Sequence, residues 1–475
     1  MTDFSFYWHD YETWGLDRRR DRPVQFAGQR TDYDLNPIGE PSMLYAEPPR
    51  DRLPSPEACL VTGLTPQRVR QQNPLCEAEF IRRIRDEMMQ PNTCSLGYNS
   101  LRFDDEVTRF TLYRNLLDPY QREWGEGRSR WDLIDALRMA RALRPEGIEW
   151  PTGEESKPSM KLEDLTRAND IEHSGAHDAL ADVQATIALA RLLKTAQPKL
   201  FEYAFENRGK QRVFQMLRPE QPGMMLHISG MYPPEYLNLA VVMPVARMPG
   251  NKNAIVVYDL RFDPAELLRK SPEKLNKLLF TPAAELPEGA SRPALKTVHA
   301  NRSPALSPIM TLDAKAQKRL QIDLTQCKRH FDTLRQARGL AKKIAEIHSQ
   351  REFAPDDDPE TALYGGFIPD PDRRLLERIT ALPPEELIGQ AFAFKDSRLP
   401  ELLFRYRARN YPDTLSDEEQ QKWEAFRRRR LAESTENSTG TEDYFKQIAK
   451  LSQLPERSPA EQEILAELEE WGRGI

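Results

Sequence analysis

The chain has 475 residues, 30% of them charged, with a formal net charge of -6 and a mean hydropathy of -0.69. Its longest strongly apolar run, "YLNLAVVMPVA" from Tyr236, falls far short of the roughly 20 residues of a membrane helix, and no basic region followed by an apolar stretch marks a signal peptide. Four widely spaced cysteines without a C-x-x-C pair argue against a disulfide framework or a cysteine-based zinc module, so reduced thiols, a cytoplasmic location and no membrane partner are expected.

The length suggests about three domains, and 38 prolines against 22 glycines suggest many element breaks joined by ordered loops. "FSFYWHDYET", "VQFAGQRTD" and "PIGEPSMLYAEP" read as strands. "TPQRVRQ" opens a helix with Thr65 as N-cap and Pro66 in the first turn. "EAEFIRRIRDEMMQ" sets Phe80, Ile84 and Met88 on one helical face, "TCSLGYN" is a short strand, and "DDEVTRFTLYRNLL" continues as helix. "AHDALADVQATIALARLLK" carries Leu180, Val183, Ile187, Ala190 and Leu193 at helical spacing. This mixture predicts a mixed sheet flanked by helices, one α/β domain over residues 1–197.

Strand signals then dominate: "MMLHISGM", "LNLAVVMPVA" and "NAIVVYDL", the last two joined by the turn "RMPGNKN". With helices near 313–349, they define a small β-rich domain over 198–351. "EFAPDDDPETALYGG" reads as a linker. Beyond it, "LPPEELI", "LPELLFRYRARN", "SDEEQQKWEAFRRRRL" and "AEQEILAELEEW" make 356–475 helical and charged.

The chemistry starts in "FYWHDYETWG", residues 6–15. Strand side chains alternate between faces, so Phe4, Phe6, Trp8, Asp10 and Glu12 share one face, apolar first and acidic last. Two like charges on one face repel unless a cation lies between them. Two later stretches can supply further ligands. In "GYNSLRFDDEVTR", Asn99 precedes Asp104 at a strand-to-helix turn. In "HSGAHDALADV", His177 lies on the approach to a helix and Asp182 one turn inside it. Each stretch has an ordinary alternative: N-capping for Asp104 or Asp105, a loop histidine, a solvated helix position.

Together and in this order, D-x-E-T, N-x-x-x-F-D and H-x-x-x-x-D resemble the DEDDh family of 3'→5' exonucleases. The resemblance implies a ribonuclease-H-like sheet and two divalent metals, Mg²⁺ or Mn²⁺. In that reading Asp10 bridges both metals, Glu12 and Asp182 hold the nucleophile-side metal, and Asp104 helps hold the other. His177 is then the general base, and an imidazole with a pKa of about 6.5 suits that task near neutrality.

Wider stretches, among them "DRPVQFAGQRTD", "VTGLTPQ", "SRWDLIDALR", "ALRPEGIEWP" and "LLFRYRARNYPDTL", are similar to the bacterial exodeoxyribonuclease I family. This implies a monomer that degrades single-stranded DNA from its 3' end to 5'-mononucleotides, in DNA repair, mismatch repair and recombination. It also implies an SH3-like middle domain, an α-helical C-terminal domain and binding of the acidic C-terminal tail of single-stranded-DNA-binding protein. Arg109, Tyr120, Trp124 and Arg138 are the DNA contacts the resemblance suggests. Lys161 is a candidate phosphate contact and Glu12 a further substrate contact. "FRYRARNY" from Phe404 is either a DNA contact or a solvated helix face, and "RRRR" at 427–430 reads as surface charge. An exonuclease acting on RNA 3' ends and an inactive single-strand-binding scaffold are the competing readings.

Overall fold

The computed structural model describes residues 4–153, 158–173, 175, 177–349, 356–434, 439–455 and 457–475. The expected linker from 352 lies in part outside them. The first five strands are β1 (Ser5–Thr13), β2 (Pro23–Thr31), β3 (Pro37–Tyr45), β4 (Thr93–Gly97) and β5 (Ser129–Asp132), in sheet order β3-β2-β1-β4-β5. β1 runs antiparallel to β2 and parallel to β4. A central strand is covered on both faces, and Phe6, Tyr7, Trp8 and Tyr11 are all buried. Phe6 packs on Phe4 and Trp8, with ring centroids 5.0 and 5.6 Å away, so the predicted alternation is present. On the opposite face Tyr11 meets Phe26 and Phe80.

Helices α1 (Pro56–Thr62), α2 (Pro66–Arg70) and α3 (Glu77–Met88) follow β3. Thr65 caps α2, its hydroxyl accepting from the Arg68 amide, with Pro66 in the first turn as predicted. Gly63 ends α1 in the left-handed region at φ 70°, a conformation only glycine adopts without strain. Phe80, Ile84 and Met88 of α3 are fully buried, joined by Ile81. α4 (Asp104–Arg114), α5 (Leu133–Leu143), α6 (Leu162–Ala168) and α7 (Ala179–Ala196) complete this part of the chain. Of the α7 stripe, Val183, Ile187, Ala190 and Leu193 are buried, while Leu180 is half-buried.

The second sheet is antiparallel throughout, in the order β10-β6-β7-β8-β9. Its strands are β6 (Met225–Ile228), β7 (Leu239–Arg247), β8 (Ala254–Asp259), β9 (Leu295–His299) and β10 (Ala305–Pro308). β6, β7 and β8 match the three predicted segments. β9 and β10 are short, and their sequences carry no long apolar run. Leu226, Val241 and Val256 pack with Leu267 and with Ile344 of the helix Leu340–Ser349.

The C-terminal part holds the helices Asp370–Ala381, Leu399–Asn410, Asp417–Ala432, Thr441–Ser452 and Pro459–Gly474. Ser416 with Glu419 and Ser458 with Glu461 form capping boxes at two of their starts. "LPPEELI" forms only a short 3₁₀ turn at Pro384–Leu387. The chain packs as two compact units, one of Met1–Ser129, His173–Gln184 and Pro355–Ile475, the other of Arg130–Glu172 and Ala185–Ala354. All four cysteines are free thiols. No helix among the described residues is long and apolar enough to cross a membrane.

Candidate active site

Strand register sets the site. Asp10 and Glu12 leave β1 on one face, opposite Ala27 and Gln25 of β2. Between them the Tyr11 amide donates to Asp104 Oδ1 at 3.2 Å, and Thr108 Oγ1 donates to the Tyr11 hydroxyl at 3.0 Å. These two bonds seat the first turn of α4 against β1, so Asp104 enters buried, at the end where the helix dipole favours a carboxylate.

Gln25 performs the corresponding task for α7. Its Nε2 donates to Asp178 Oδ2 at 3.1 Å, and its Oε1 accepts from the Ala179 amide at 3.1 Å. Asp178 caps the helix by accepting from the Leu180 and Ala181 amides. Asp182 lies one turn further, and the Asp178 carbonyl accepts from its amide. His177 precedes the helix in a left-handed conformation, φ 68°, and is exposed. Glu12, His177 and Asp182 each offer one ligand atom, all within 4.8 Å of one another.

Electrostatics ties the remaining carboxylates to this group. Burial holds the Asp10 carboxyl well above the ordinary aspartate range, with further upward pressure from Asp104, Glu12, Asp182 and Asp178. Burial likewise pushes Glu12 up to about 8, followed by Asp182, Asp104 and Asp178. Crowded carboxylates are what a divalent cation corrects, since it favours every ionised form at once. Asp10, Glu12, Asp104 and Asp182 offer oxygen ligands, the donor type that hard divalent cations prefer.

The predicted DNA contacts are distributed differently. Arg109 is buried, donating to Glu106 at 2.7 Å and to both Glu123 oxygens at 2.7 and 2.9 Å. Its guanidinium lies 5.5 Å from the half-buried Tyr120 ring. Trp124 is 66% exposed. The turn that presents it is anchored by Arg122 to Asp105 at 2.6 Å and by Arg128 to the Met89 carbonyl at 2.9 Å. In the second unit, Arg138 donates to Asp135 at 2.6 Å, and exposed Lys161 stands just ahead of α6. Trp131 is core, packed on Phe201 and Phe205.

"FRYRARNY" is not a solvated face. Arg405 and Arg407 are buried and Arg409 is half-buried, paired with Glu401, Asp358, Glu360, Glu419 and Asp51. Arg427 pairs with Glu424, and Arg430 with Asp51, Asp358 and Glu360. Only Arg428 and Arg429 of the "RRRR" run are exposed. Tyr11, Gln25 and His173, which bonds Asp182, are site residues that sequence reasoning missed. Gln25 could have been found only by aligning β2 against β1 residue by residue.

Comparison with known proteins covers the chain from end to end. Residues 7–190 match the Exonuclease family, 208–350 the Exonuclease I SH3-like domain and 357–475 the Exonuclease I C-terminal domain. Exodeoxyribonuclease I of Haemophilus influenzae is 46% identical over 436 residues, 91% of this chain and 92% of that protein. The solved exonuclease I of Methylocaldum szegediense superposes with a TM-score of 0.94 at 53% identity, covering 99% of both chains. Escherichia coli exonuclease I in complex with a dA16 oligonucleotide gives 0.95 at 40% identity, again over 99% of both. A structure of SSB/exonuclease I in complex with an inhibitor gives 0.92 at 39% identity over the full length of each.

Proposed function

The chain belongs to the exonuclease I family, and on that premise we propose that it is a metal-dependent exodeoxyribonuclease that degrades single-stranded DNA from its 3' end to 5'-mononucleotides. The observation that carries the reading is the convergence of Asp10, Glu12, Asp104 and Asp182, with Asp10 and Glu12 held above their usual carboxylate range by burial and by the neighbouring carboxylates, Asp104 and Asp182 acting on both. Asp10, which feels the charges of Asp104, Glu12 and Asp182, would help hold both of two Mg²⁺ ions. Glu12 and Asp182 would hold the one on the nucleophile side and Asp104 the other. When bound, such a pair of ions supplies Lewis acidity on both the entering and the leaving oxygen of the phosphodiester.

The protein's own groups do the rest. His177, beside Glu12 and Asp182, accepts the proton of the attacking water on its ring nitrogen. Its place on an exposed turn gives the proton a way to solvent. Trp124, with Tyr120, offers π-faces on which successive bases stack, while Arg138 and Lys161 are the cations for the strand's phosphates. Arg109 acts through Tyr120, whose ring it overlies, rather than as a free cation. We assign the protein to the cytoplasm as a monomer, serving DNA repair, mismatch repair and recombination. Its partner is the acidic tail of single-stranded-DNA-binding protein, supported by the likeness to SSB/exonuclease I.

The test is a gel assay of single-stranded DNA labelled at its 5' end. A ladder shortening from the 3' end, lost with EDTA and in Asp10→Ala, is expected. An intact oligonucleotide that nevertheless shifts on a native gel would make the protein a binding scaffold. Preferential shortening of a matched RNA would move the substrate class.

A further inference from the structure

Asp182 differs from its neighbours in the site. Asp10 and Glu12 project from the rigid centre of a sheet, and Asp104 is fixed by the Tyr11 amide. Asp182 stands on a helix, where its side chain could turn toward or away from the others. One contact decides the matter: His173 Nε2 lies 2.6 Å from Asp182 Oδ1. The His173 side chain is only 4% exposed, against 14% for Asp182. An imidazole buried at this distance from a carboxylate oxygen is an aimed contact.

A carboxylate has two oxygens and about four acceptor positions. A ring N–H on Oδ1 therefore takes only one of these positions, and it also removes the rotational freedom that would spread Asp182 over several rotamers. Carboxylates that hold metals are themselves hydrogen-bonded in this way, and loss of such a partner weakens metal affinity about 10- to 100-fold. We propose that His173 is a positioning residue, whose ring N–H fixes one oxygen of Asp182 so that the other faces Glu12 and His177, where a divalent cation binds. His173 and His177 are thereby given different tasks, the first holding a ligand and the second meeting the water. The inference rests on the metal-dependent reading above.

The test is a Mn²⁺ titration of the DNA-free protein, with free Mn²⁺ followed by electron paramagnetic resonance. His173→Ala, and His173→Phe as a ring of similar bulk without a donor, should bind Mn²⁺ about 10- to 100-fold more weakly than the wild type. His173→Gln, which keeps an N–H donor, should recover part of the loss. Melting temperatures in EDTA should stay together, which a purely structural role would not allow. Wild-type affinity in His173→Phe overturns the proposal, as does tighter binding, which would make His173 an occupant of the cation's place. A wild-type protein without saturable Mn²⁺ binding would instead sink the metal-dependent reading itself.

Discussion

His177 and Asp10 show how much a single side chain carries in this site. His177 touches no core and stands on an exposed left-handed turn, so its removal has little to unfold. His177→Ala should lower kcat by about 10²- to 10⁴-fold, the usual worth of a positioned base, while leaving single-strand affinity unchanged. Near-wild-type turnover would remove the residue from the mechanism. Asp10 is the opposite case, a half-buried carboxylate pressed by four others. Asp10→Asn relieves that repulsion, so in EDTA the variant should melt a few degrees above the wild type. Mg²⁺ should raise the wild-type melting temperature by mass action and leave the variant nearly unmoved. A variant that melts lower in EDTA would mean that the carboxylates are not in mutual repulsion. Asp10, Glu12 and His177 were legible in the sequence because strand alternation and motif order point to them. His173 was not, since nothing in "EHSGAHD" says which histidine turns toward Asp182.

The turn between α4 and β5 shows a division of labour within one element. Arg122 and Arg128 are buried and tie the turn down, while Trp124 between them stays in solvent. From sequence, Arg109, Tyr120 and Trp124 of this aromatic and basic stretch are all suggested as DNA contacts. The fold divides them into anchors and displayed groups, because only burial shows which charges already have partners. An exposed indole on an anchored turn needs little ordering on binding, which favours base stacking. Trp124→Ala should therefore weaken single-strand binding by roughly 5- to 150-fold, corresponding to about 1–3 kcal/mol per stacked base. The melting temperature should not change. Fluorescence anisotropy at moderate salt measures the affinity, and an unaltered value would exclude Trp124 from the strand's path. The same distinction explains "FRYRARNY", whose alternation looked like a surface track. Its partners Asp51, Asp358 and Glu360 are far away in sequence, and no local pattern reveals them.

Those acids and arginines tie distant parts of the first compact unit into one buried ionic network. Glu360 receives Arg22 at 3.0 Å, Arg405 at 3.1 Å, Arg430 at 2.9 Å, and Arg409 as well. Asp51 receives Arg409 and Arg430, each at 2.8 Å. The segments joined are the start of β2, the approach to α1, the stretch before the C-terminal helices, and two of those helices. Burial alone would raise both carboxyls. Arg409 and its neighbours outweigh it, and hold Asp51 and Glu360 well below the ordinary range. Half-buried Glu77, facing Arg114 and Arg22, is brought down to about 2 against the upward push of burial. A buried pair adds little net stability over an apolar substitute, but removing one partner leaves uncompensated charge and costs about 3–5 kcal/mol. Glu360→Gln takes one charge partner from each of four guanidinium groups, Arg22, Arg405, Arg409 and Arg430, and should lower the calorimetric transition of this unit. Because these folded-state pKa values are depressed, their contribution is complete above the unfolded value, 4.5 for a glutamate, and is lost as pH falls through the folded values. The network's contribution to the wild-type melting temperature should thus hold steady down to about pH 5 and fall steeply from there toward pH 2. Glu360→Gln should start lower and fall less steeply over the same window. Parallel curves for the two proteins would show that acid unfolding begins elsewhere, and the network would then be a specifier of how these segments pair rather than the source of their stability.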